Sequence, residues 1–205
     1  MSCRVHKAFW KALLFAVAAQ FALTAHAQTT SAEDLVKSTS EEVLGVIKQT
    51  KDRQKLQQLA EEKVVPHFDF PHMTQLAVGR AWRQATPEQQ RQLQDEFREL
   101  LVRTYTNALA AGTRGNAKIR MKPSHGAAKG SETIVRTEAI EPGKVPISID
   151  YYMESKTDGW KVYDVTVDSV SLVTNYRSQF ASTVSQSGVD GLVKSLAEKN
   201  KGQPK

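Results

Sequence analysis

Apolar residues recur at helical spacing through the first half of the chain, and at every second position through much of the second. In SAEDLVKSTSEEVLGVIKQ (31–49), Leu35, Val36, Val43, Leu44 and Ile47 come round to one broad side of a helix. Leu56, Leu59, Ala60 and Val64 do the same in RQKLQQLAEEKVV (53–65). The clearest helix begins at Thr86, which can cap it. Pro87 suits the first turn and Gln89 completes a capping box. Leu93, Phe97, Leu100, Leu101, Thr104, Tyr105, Ala108 and Leu109 then form a nearly unbroken stripe, and Gly112 ends the helix.

After GTRGN (112–116) the period changes to two. AKIRMK (117–122) alternates strictly, with Ala117, Ile119 and Met121 on one face and three cations on the other. ETIVRTEAI (132–140) follows, then VPISIDYYME (145–154), in which Ile147, Ile149, Tyr151 and Met153 share a face. GWKVYDVTVDSVSL (159–172) is apolar on both sides in places, as a central strand would be. The connections HGAAKG, EPGK and KTDG are short and turn-rich, which favours an antiparallel meander. Helical stretches close the chain around 174–184 and 189–199, ahead of a loose polar tail at 201–205. The pattern predicts an α+β domain over 28–200, with N-terminal helices and a C-terminal helix packed on one face of a twisted antiparallel sheet. No internal repeat or long linker divides it.

The first 27 residues are set apart. Arg4, Lys7 and Lys11 precede the apolar run ALLFAVAAQFAL (12–23), and Ala25-His26-Ala27 has the small-x-small form that a signal peptidase accepts. A run of twelve falls short of the roughly 20 residues a spanning helix needs, so residues 1–27 read as a signal peptide cut before Gln28. Three cations and no anion leave with it, so the formal charge falls from +6 to +3. That surplus is too mild to argue for nucleic acid. Cys3, the one cysteine, also leaves, which excludes thiolate catalysis and disulfide staples and suits an oxidising compartment.

Candidate chemistry concentrates in HFDFPH (67–72), where His67, Asp69 and His72 could offer metal ligands. Histidines that share a metal on a helix usually sit four apart, whereas these sit five apart with Pro71 between them. Phe68 and Phe70 alternate with polar residues, so the segment reads as extended, with both rings driven inward. Pro71 then opens a short helix, PHMTQLAVG (71–79), that Asp69 can cap. No G-x-S-x-G and no glycine-rich phosphate loop occurs. Asp150, Asp164 and Asp168 fall on strands, where a buried carboxylate would be a general base and a solvated one would not. Residue chemistry alone favours a binding protein over an enzyme.

Four segments in order resemble the MlaC, or toluene-tolerance, family: FDFPHMTQLAVGRAW (68–82), ATPEQQRQLQDEFRELLVRTYTNAL (85–109), VPISIDYYM (145–153) and DGWKVYDVTVDSVSLVTNYRSQF (158–180). The likeness runs from about residue 31 to 199. A glycine expected near Ser169 is missing, which bears on the turn there. The resemblance implies a periplasmic carrier with phospholipid as bound cargo, no cofactor and no metal. It implies two partners, an inner-membrane MCE-domain protein of an ABC transporter and an outer-membrane lipoprotein–porin complex. It also implies an apolar cavity between helices and sheet. The helix and strand faces read above place Phe70, Met73, Leu101, Tyr105 and Leu109 on one side of that cavity. Ile119, Met121, Val135, Ile147, Ile149, Tyr151 and Met153 are placed on the other. Two other readings stay open: a small enzyme with a strand aspartate as base, and an interaction or chaperone domain that presents its apolar stripe to a protein.

Overall fold

Short polar side chains start the helices. In the computed structural model, which describes residues 30–112, 117–123 and 130–202, Ser31 accepts from the Asp34 amide and α1 runs Ala32–Gln49. Asp52 accepts from the amides of Gln54 and Lys55 to open α2, Arg53–Leu59. The chain then widens into a π-helical turn, Ala60–Val64, and tightens into a 3-10 turn, Val65–His67. Asp69 accepts from the His72 amide at 2.8 Å to open α3, Phe70–Val78, as its place before Phe70-Pro71 predicts. The capping box at Thr86 and Gln89 is reciprocal, with Thr86 N–H donating to Gln89 Oε1 at 2.8 Å and Gln89 N–H to Thr86 Oγ1 at 3.2 Å. It opens α4, Pro87–Gly112.

The period-two half forms a five-stranded antiparallel meander, so the fold is α+β. In order across the sheet it consists of β1 Lys118–Met121, β2 Glu132–Ile140, β3 Ile147–Lys156, β4 Gly159–Val167 and β5 Val170–Ser171. Register aligns the inward side chains in rows. Met121, Thr137, Ile149, Val167 and Val170 form one row, and Ile119, Ala139 and Ile147 form the next towards the β2–β3 turn. The outward positions carry charge instead. Arg120 and Lys122 both pair with Glu138, and Arg136 lies 3.6 Å from Asp150. The alternation in AKIRMK and ETIVRTEAI thus separates an apolar face from an ion-paired one.

The helices divide their contacts. α1 lies over β1 and β2, while α3 and α5 flank β4. One buried cluster joins α3, α4 and α5 through Met73, Leu93, Phe97, Phe180, Leu192 and Leu196. A second joins Ala32 and Val36 of α1 to Val135, Met153, Val162 and Val165 of the sheet. HFDF bridges them: Phe68 makes a parallel bridge to Val162, Asp69 N–H donates to Val162 O at 2.9 Å, and the Phe68 and Phe70 rings stack 5.7 Å apart.

Three boundaries differ from the sequence reading. The stretch 159–172 is two strands, because Asp168 (φ 45°) and Ser169 (φ 69°) form a two-residue hairpin loop with both residues in the left-handed region. Strand β3 begins at Ile147, after Pro146, which has no N–H for a ladder. The last helix, α5 Leu172–Gly202, is broken only at Gly188 (φ 69°, ψ −174°) and continues into the expected tail, because Leu196 and Asn200 are buried and Asn200 Nδ2 donates to Glu96 O at 2.9 Å. The leader and its cleavage site lie outside the described residues.

Such a loop favours Asp-Gly, and a non-glycine residue in left-handed space costs about 1 kcal/mol. Ser169→Gly is therefore expected to raise stability by up to about 1 kcal/mol, less the entropy that glycine adds to the unfolded chain. Thermal melting followed by circular dichroism checks it. A fall in midpoint would mean the Ser169 side chain contributes more than its backbone strain costs.

Candidate functional site

α1 reaches β1 and β2, and between it, the turn after α2, α4 and the apolar sheet face lies a pocket of about 370 Å³. Its walls are almost wholly hydrocarbon. α1 supplies Leu35, Val36, Val43, Leu44 and Ile47, the same stripe that marks it as amphipathic. Ala60, Val64 and Val65 close the floor beside it, and Phe68, Phe70 and Met73 enter from HFDFPHM.

Of the side chains expected at the cavity, Phe70, Met73, Leu101 and Tyr105 from the helices and Ile119, Ile149, Tyr151 and Met153 from the strands lie in its wall. Met121 and Val135 do not. Val135 is buried in the cluster that Ala32 and Val36 join, and Met121 packs against that cluster. α1 fills the space above them. Ile147 lies past the wall and is 43% exposed. The side chain of Leu109 lies outside what is described. The α1 wall was missed as a site, along with Val162, Val165, Val167 and Leu172 from the β4–β5 region. Their apolar pattern was legible, but pattern alone does not show that α1 returns over the sheet.

The few polar groups in the wall are spoken for or neutral. Burial raises the pKa of the Tyr151 phenol, partly offset by its hydrogen bonds to Ser40 and Thr137. Thr137 Oγ1 donates in turn to Ile149 O at 3.1 Å. Burial, helped by Tyr176, pushes Tyr105 up to about 12, so it is neutral at any physiological pH. Among the described residues no carboxylate lies in the wall. Asp164 instead accepts from the amides of Val165 and Val173 and from Ser171 Oγ, and Asp168 accepts from the Ser148 amide. Asp150 faces Arg136.

The two histidines of HFDFPH part company. His67 lines the pocket, where burial and then the Lys161 ammonium hold it below the ordinary imidazole value of 6.5. His72 stacks on Tyr163 with centroids 5.0 Å apart, and its Nδ1 lies 2.8 Å from Glu154. Asp69, His72 and Glu154 bring potential ligand atoms within 4.8 Å of one another. The Lys156 ammonium bridges the two carboxylates, 2.9 Å from Asp69 and 3.1 Å from Glu154. The cluster holds a cation of its own and ties α3 to the end of β3.

A histidine kept neutral by the fold takes up its proton more readily once unfolded. The unfolded state then binds more protons, so His67 opposes folding as pH falls below 6.5 and has no such effect well above it. In His67→Gln the loss of melting temperature between about pH 7 and about pH 5 should shrink. An unchanged pH slope would mean that the ring is solvated in the folded chain.

The model of the MlaC protein family matches residues 37–198. The toluene tolerance protein ttg2D of Pseudomonas putida is 28% identical over 186 residues, covering 88% of this chain and 84% of that protein. The solved structure of a phospholipid-binding protein from Ralstonia solanacearum, in complex with a phospholipid, superposes with a TM-score of 0.76 at 41% identity. The match covers 83% of this chain and 97% of that one. With the family model spanning most of its length and its fold shared with that relative, the chain belongs to the MlaC family.

Proposed function

We propose that this protein is a periplasmic phospholipid carrier. It moves lipid between an outer-membrane lipoprotein–porin complex and an inner-membrane ABC transporter, docking there on an MCE-domain protein, and so helps maintain outer-membrane lipid asymmetry. The observation that carries the reading is the hydrocarbon-walled pocket of about 370 Å³ between α1, α4 and the sheet, in a fold shared with a relative that holds a phospholipid. The leader read from residues 1–27 of the sequence and the family support the compartment.

The chemistry fits a carrier. Two acyl chains carry about 30 methylenes, and at about 0.8 kcal/mol each their burial is worth roughly 20 kcal/mol or more against water. Against a bilayer, which is equally apolar, the gain nearly vanishes. A carrier therefore needs apolar volume and few polar contacts, and its cargo leaves only by docking. Direction comes from a partner that uses energy. The strand carboxylates that an enzyme reading would use are engaged elsewhere, Asp150 with Arg136 and Asp164 with the amides of Val165 and Val173.

Organic extraction of the purified mature protein followed by mass spectrometry tests the reading. Stoichiometric phospholipid is expected. A pocket that purifies empty and takes up no phospholipid from vesicles would overturn it.

A further inference from the structure

The sheet face that lines the pocket does not stop at the wall. Along β3 exposure rises from 0% at Met153 to 43% at Ile147, and Val145 just beyond the strand is 85% exposed. Along β4 and β5 it rises from 3% at Val162 to 58% at Val170. The two paths end at one corner, because Asp168 N–H donates to Ser148 O at 2.9 Å and Ser148 N–H to Asp168 Oδ1 at 3.0 Å. Single exposed aliphatic residues are ordinary. Here Val145, Ile147 and Val170 are three of the four exposed large apolar side chains among the described residues, and the fourth, Tyr105, is in the pocket wall.

We propose that Val145, Ile147 and Val170 form a lip that rests on a phospholipid bilayer while cargo slides along the sheet face between pocket and membrane. This rests on the carrier reading. A tail that crosses water loses the whole of its burial free energy, so the path must stay apolar to its end. The lip continues the face that Ile149 and Val167 present inside the pocket. It is purely aliphatic, whereas protein interfaces are anchored by tryptophan, tyrosine and arginine. Exposed Lys118 and Lys144 lie at the same end of the sheet, Lys144 sharing its charge with Glu141, and both suit anionic headgroups. Three small side chains give weak, reversible contact, which lets the carrier leave again.

The test uses mature protein loaded with fluorescent phospholipid and vesicles of phosphatidylethanolamine and phosphatidylglycerol. The double variant Val145→Asp, Val170→Asp should transfer lipid to vesicles about tenfold more slowly, with its bound lipid and melting temperature retained. Val145→Trp should transfer faster, and its added indole emission should shift to the blue on vesicles. Equal rates in all three proteins, or transfer that begins only when a membrane protein is added, would remove the lip and leave the carrier reading intact. A preparation whose extract contains no phospholipid would remove both.

Discussion

Ile149→Glu is expected to give a folded protein that no longer carries phospholipid. Ile149 sits at the centre of the inward row, between Thr137 on β2 and Val167 on β4, and its side chain is in the pocket wall. A carboxylate buried in a close-packed core has neither water nor partner. It would cost several kcal/mol, a large share of the roughly 5–15 kcal/mol that holds a domain together. At the pocket wall the outcome differs. Ile149 is only half-buried, so water entering the cavity can solvate the charge. Hydrocarbon tails can no longer occupy the same space, because they would strip that water away. Circular dichroism with thermal melting reads the fold, and mass spectrometry of extracts reads the cargo. An unfolded variant would make the stretch ordinary core. A folded variant that keeps its lipid would mean the tails lie elsewhere.

Periodicity made the elements legible because each is decided locally. The Thr86–Gln89 box, the Asp69 cap and the strict alternation of AKIRMK all specify contacts within a few residues, and the structure has them. The site was legible in part for the same reason. Alternation assigns a face, so Ile149, Tyr151 and Met153 point to the pocket as their spacing requires. It does not assign depth along that face. Val135 has the right face but lies beneath α1, and Ile147 has it but lies beyond the wall. Depth depends on where α1 settles, a contact between segments some hundred residues apart that no local pattern encodes. The turn at Asp168-Ser169, to which only the family resemblance pointed, was hidden from the residue pattern for another reason. Neither residue is the glycine that marks left-handed backbone, so a hairpin passed for the middle of a strand.

Phe97→Ala should produce the largest loss of stability while leaving the cargo in place. Phe97 is fully buried, with its ring edge-on to Tyr176 at 4.9 Å and to Phe180 at 5.1 Å. It belongs to the α3–α4–α5 cluster and is absent from the pocket wall, although Leu101, one turn further along α4, is in both. Removing a buried ring forfeits its transfer free energy and leaves a cavity that its neighbours only partly fill, a cost of about 3–5 kcal/mol. In a domain of this size each kcal/mol moves the melting midpoint by about 2–4 °C, so a fall of about 6–20 °C is expected. The new cavity opens within the α3–α4–α5 cluster, one turn of α4 before Leu101, and the pocket wall, to which Phe97 does not belong, keeps all of its own side chains. The folded fraction should therefore hold stoichiometric phospholipid at a temperature well below the new midpoint. The two substitutions then separate: Ile149→Glu removes cargo at little cost in stability, and Phe97→Ala lowers stability at little cost in cargo. If Phe97→Ala melts near the parent temperature but emerges without lipid, the pocket extends through α4 into the helical cluster, and the division between carrier surface and core must be redrawn there.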